Sequence, residues 1–140
     1  MQRFSRLSPF KPFLKEIQRA FPRIRSTSYE RGLRAIDEAI APLSTVHMDR
    51  PDAALITSEF LNTARLLRHA CRRGLLAVGS DSYEAGAQRR ELDIDMFGII
   101  QEYSRLWLAR NRPGGLADSI RRLESARLSY GWYPLSNYPC

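Results

Sequence analysis

The chain has 140 residues, 44% of them hydrophobic, and a formal charge of +7. That length suits one domain with its own core. No run approaches the roughly 18 consecutive apolar residues of a membrane span, and two cysteines cannot make a disulfide scaffold.

Residues 1–26 form a basic arm. Arg3, Arg6, Lys11, Lys15, Arg19, Arg23 and Arg25 stand there against Glu16 alone, whereas residues 27–140 hold 15 basic and 14 acidic residues. Such an arm suits nucleic acid, an anionic surface or an acidic partner, and equally a solvated segment. No apolar signal-peptide core follows Arg3 and Arg6, so a cytoplasmic chain is expected unless it is part of something larger. Within the arm Phe13, Ile17 and Phe21 step by four after Pro12, the pattern of a short helix with proline in its first turn.

The helical domain spans residues 27–140. Thr27 to Glu30 has the capping-box form, and Tyr29, Leu33, Ile36, Ile40 and Leu43 follow as a narrow heptad seam closed by Pro42. A second helix is expected from Asp49, with Pro51 in its first turn and Asp52 at its positive end. Its inner face reads Ile56, Phe60, Thr63, Leu67, Ala70 and Leu75, with Gly74 as a weak point. Cys71 reads as a small buried residue.

Beyond Ser82 the pattern permits one long helix or two up to Arg110, with Gly86 and Gly98 as soft points. Met96, Ile99, Tyr103, Leu106 and Arg110 share a face that Phe97, Ile100 and Trp107 widen. The corner Asn111-Arg112-Pro113-Gly114-Gly115 stops this helix. Leu116, Ile120, Leu123 and, more loosely, Leu128 start the next. Trp132, Tyr133 and Tyr138 suggest an irregular strap at the end. The fold class is therefore all-α, an antiparallel bundle of three to five helices with a helix–RNRPGG–helix corner.

Self-contained chemistry is hard to find. Glu91 and Asp95 share a face at i, i+4, but acid–base work needs a cleft that separates their pKa values. Ordinary ion pairs are the simpler account. His47, His69 and Cys71 lack metal-ligand spacing, and a Ser-His-Asp triad has no GxSxG to support it. No catalytic residue, metal or cofactor is assigned. The interaction candidates are Arg110, Asn111 and Arg112 at the corner, with Trp107 beside them. Arginines there complement the helix C-terminus or reach a partner carboxylate. A helix-turn-helix DNA reader fits poorly, because the body is near neutral and phosphate binding needs a basic face.

Leu106–Glu124, LWLARNRPGGLADSIRRLE, resembles the C-terminal helical region of bacterial family-20 glycoside hydrolases, the β-N-acetylhexosaminidase-like enzymes. The resemblance implies a non-catalytic accessory or dimerisation domain, or a fragment, that braces a (β/α)₈ catalytic barrel or a second copy of itself. The family's catalytic pair is an adjacent Asp-Glu on the barrel. The one adjacent pair here, Asp37-Glu38, falls in mid-helix and does not take that role. The alternative is a small basic helical module that binds nucleic acid or an acidic partner through residues 1–26.

Overall fold

The computed structural model describes residues 25–79 and 83–130. The basic arm up to residue 24 and the aromatic end beyond Tyr130 lie outside the described residues, and with them the short helix and the strap expected there. Four α-helices follow in order: α1 Ser26–Ile40, α2 Ala53–Val78, α3 Tyr83–Arg110 and α4 Leu116–Leu128. A 3₁₀ turn, Ala41–Ser44, carries Pro42 and ends α1. Each helix packs antiparallel to the next in sequence, α1 on α2, α2 on α3 and α3 on α4, and the described residues hold no strand.

The α1–α2 contact is built on small residues. The Tyr29 ring lies against Gly74, and Gly32 lies against Cys71 Sγ. Further along, Arg68 Nε donates to Asp37 Oδ1 at 2.7 Å. Gly74 therefore interrupts nothing: α2 runs through it to Val78, and the missing side chain makes room for the ring. Cys71 is half-buried there rather than fully buried.

The core belongs to α2, α3 and the end of α4. Leu76, Ala77, Leu92, Met96, Ile99, Ile100 and Tyr130 form it, with Ile120, Leu123 and Ala126 packed alongside. On α3 most of the expected face is buried, with Met96, Ile99, Ile100 and Leu106 all at 6% exposure or less, but Phe97, expected to widen it, is 47% exposed on the other side of the helix.

On α2 the expected face is wrong. Phe60 and Leu67 are 57% and 51% exposed, while Asn62 and His69 are buried. Hydrophobic pattern alone turns α2 the other way. Each of the polar pair finds a hydrogen bond there, which offsets the cost of burial for His69 and part of it for Asn62, whose Oδ1 has no partner. Asn62 Nδ2 donates to the Ile99 carbonyl at 3.3 Å, and His69 uses both ring nitrogens.

The helix starts also differ from expectation. Arg25, not Thr27, is the N-cap of α1 and makes no side-chain capping bond, so the capping box does not form. Asp52, not Asp49, occupies the N-cap of α2, again without a capping bond. Its carboxylate is taken by Arg50 and Arg110 instead. At α2 the charged neighbours outcompete the local backbone donor for the Asp52 carboxylate.

Candidate functional site

The corner between α3 and α4 places the four interaction candidates. The chain turns at Gly115, whose φ of 82° is the left-handed region that glycine enters at low cost. Trp107 packs over this turn, 3.6 Å from where a Gly115 side chain would begin. The indole N–H of Trp107 donates to the Arg112 carbonyl at 3.0 Å, which satisfies a carbonyl beyond the helix end.

Arg110 points back along α2. Its Nε and Nη2 hold both Glu59 oxygens, and Nη1 donates to Asp52 Oδ2 at 3.2 Å. The Glu59 hydrogen bond raises the Arg110 pKa further above its ordinary value, and Asp52 adds to that. The fork geometry that sequence reading reserved for a partner carboxylate is thus used within the chain. Asn111 and Arg112 are exposed. Asn111 joins Trp107, Tyr103 and Asn62 around a shallow cavity of about 160 Å³.

A second arrangement links three separate parts of the chain. His69 on α2 donates from Nδ1 to Asp95 Oδ2 on α3 at 2.9 Å. Its Nε2 accepts from the Tyr130 hydroxyl, just past α4, at 2.8 Å. Asp95 Oδ1 accepts from Arg65 Nε at 2.7 Å. The Arg73 guanidinium sits 5.3 Å from the Tyr130 ring centroid and donates to Ser129 Oγ at 3.2 Å.

The electrostatics fix the protons of this chain of bonds. Burial holds the His69 pKa below its ordinary value. Asp95 opposes the shift, while Arg73 and Arg72 add to it. Burial alone would raise Asp95, but hydrogen bonds from His69 and Arg65 outweigh it and hold the carboxyl below its usual range. Burial pushes the Tyr130 hydroxyl up to about 12. At neutral pH the set is therefore carboxylate, neutral imidazole and phenol.

With His69 only 2% exposed and both ring nitrogens engaged, no basic nitrogen faces solvent. The arrangement ties helices together and does not resemble a poised general base. No sequence pattern joins His69, Asp95 and Tyr130. The partners are 26 and 61 residues away from His69, and no local spacing carries such a relation.

Beside Asp95 a cavity of about 400 Å³ opens between α2 and α3, lined by Arg72, Leu75, Leu76, Gln88, Glu91 and Leu92. Among the described residues no group of three His, Cys, Asp or Glu could hold a metal ion. No helix there is long and apolar enough to cross a membrane.

No protein-family model, curated protein or solved structure matches this chain.

Proposed function

We propose that the chain is a helical docking domain that braces a catalytic barrel of the β-N-acetylhexosaminidase-like kind and carries no hydrolytic residue of its own. The observation behind this is α3. One face of α3 lies in the core, and the opposite face presents Ile94, Phe97 and Leu108 at 64%, 47% and 52% exposure. A helix with apolar groups on opposite sides is one that a larger protein covers on both.

Gln101 and Arg105 lie on the same outer face. A mixture of large apolar and polar groups suits the surface of an interface better than the interior of a fold. The Arg127 guanidinium lies over the Phe97 ring, its carbon 5.2 Å from the ring centroid, while its Nε donates to Asp93. Beside that contact Phe97 still keeps 47% exposure.

The choice of a barrel as partner comes from the resemblance of Leu106–Glu124, the segment that contains the corner. The internal Glu59–Arg110 clamp supports a packing role for that corner.

The DNA on both sides of the reading frame tests the proposal. A barrel-coding sequence in frame or directly adjacent, with an adjacent Asp-Glu pair at a strand end, supports it. Flanks without a barrel contradict it.

A further inference from the structure

We propose that the cavity between α2 and α3 is a binding site for a small zwitterion with an aliphatic body, an amino acid or short peptide. This goes beyond the docking role and does not rest on it.

The volume, about 400 Å³, lies within the range of roughly 300–1,000 Å³ typical of small-molecule sites. The floor is Leu75, Leu76 and Leu92, of which Leu76 and Leu92 belong to the buried core. A floor anchored in the core is preformed, so an apolar ligand body gains contact without ordering the site.

The polar lining selects the ligand. Arg72 comes from α2, and Gln88 and Glu91 from α3. Elsewhere between these two helices opposite charges have closed on each other, as in Arg65–Asp95 and Arg110–Glu59. Arg72 and Glu91 have not. Neither side chain makes an ion pair or hydrogen bond with the described residues, although both line the same opening.

A molecule carrying a carboxylate and an ammonium at its two ends spans that gap. The carboxylate meets the Arg72 guanidinium, which suits it geometrically, and the ammonium meets Glu91. The Gln88 amide can serve either end.

The balance of charge excludes simpler ligands. Asp95 at the inner edge is neutralised by Arg65 and bonded to His69. What remains is one positive and one negative group, so neither an anion nor a cation is matched alone. A zwitterion is matched at both ends.

The probe is the dipeptide L-leucyl-L-leucine, titrated into the full chain and followed by amide NMR shifts. Its N-acetylated, C-amidated form is the control. The dipeptide should shift the amides of Leu75, Leu76 and Leu92, and the doubly capped form should bind about tenfold more weakly or less, given the worth of a charge-assisted hydrogen bond.

Arg72→Gln and Glu91→Gln change exposed side chains that lack partners among the described residues, so both variants keep the fold, checked by circular dichroism. Each variant removes one of the two charge contacts and should narrow the gap in affinity between the dipeptide and its capped form. The proposal is overturned if the dipeptide shifts none of these amides at roughly 10 mM, far above ordinary ligand affinities. Equal binding of the capped form, or variants that weaken both forms alike, would overturn it too.

Discussion

The ring of Tyr29 occupies the space that a side chain at position 74 would need: a Cβ built on Gly74 would stand 2.2 Å from the ring. The two residues set how closely α1 approaches α2. Helix propensity alone says Gly74→Ala should stabilise α2 by about 1 kcal/mol. The contact reverses the sign. Gly74→Ala should destabilise the fold by about 1–3 kcal/mol, the cost of overpacking, measured by denaturant unfolding. In a Tyr29→Ala background the same substitution should become stabilising, and a double-mutant cycle reads the difference directly.

His69 gives the fold an acid sensitivity above the carboxylate range. Its pKa is lowered in the folded chain relative to 6.5. As pH falls through 6.5 the unfolded chain takes up a proton that the folded chain refuses, so stability present above 6.5 declines below it. A second decline should begin near pH 3.8, where Asp95, also lowered, starts to be protonated in the unfolded chain. Stability measured from pH 8 to 5 should fall for the wild type and stay flatter for His69→Gln.

Truncating the same residue tests its bonds. His69→Leu leaves both the Tyr130 hydroxyl and Asp95 Oδ2 short of a partner, and should cost about 1–3 kcal/mol. Asn62→Leu is the contrasting case. Asn62 Oδ1 is buried with no hydrogen-bond partner, so removing the amide also removes an unsatisfied group. Its cost should be clearly smaller than that of His69→Leu in the same unfolding experiment.

Tyr130 should ionise late. Its hydroxyl is pushed up to about 12, from an ordinary value near 10. Raised by burial, it contributes stability that is intact below pH 10 and lost as pH rises toward 12. Ultraviolet titration of the phenolate, compared with Tyr130→Phe, should show one tyrosine missing from the main transition.

At the corner Gly115→Ala forces a Cβ into the left-handed region, at about 1–2 kcal/mol. Gly114→Ala is the control: no neighbour lies within 4 Å of its Cβ and its φ is not positive. Thermal unfolding should separate the two, with a lower midpoint for Gly115→Ala alone.

Much of the architecture is legible in the residues. Pro42 and the Pro113–Gly115 corner mark real helix ends, and the Met96–Leu106 face is the buried one, because apolar periodicity and backbone restriction act locally. The orientation of α2 was not legible, since it depends on Asn62 and His69 finding partners on other helices. Neither expected N-cap holds: the N-caps of α1 and α2 are Arg25 and Asp52 in place of Thr27 and Asp49. Of the candidate site, Arg110 uses its fork within the chain and not, as expected of one reading, on a partner carboxylate. Its acceptor, Glu59, lies 51 residues away, and no spacing rule links them. The cavity was not legible: Glu91 and Asp95 read as an ordinary charged face of one helix. Arg72 and the leucine floor come from another helix.

The proposed docking role is tested most directly by mixing the chain with any catalytic barrel that its flanking DNA encodes and measuring association by sedimentation velocity. A 1:1 complex is expected, and Ile94→Ser with Leu108→Ser should dissolve it while leaving the chain folded, since both side chains are largely exposed. A chain that sediments as a lone monomer beside the barrel, or a complex indifferent to these two substitutions, would contradict the account.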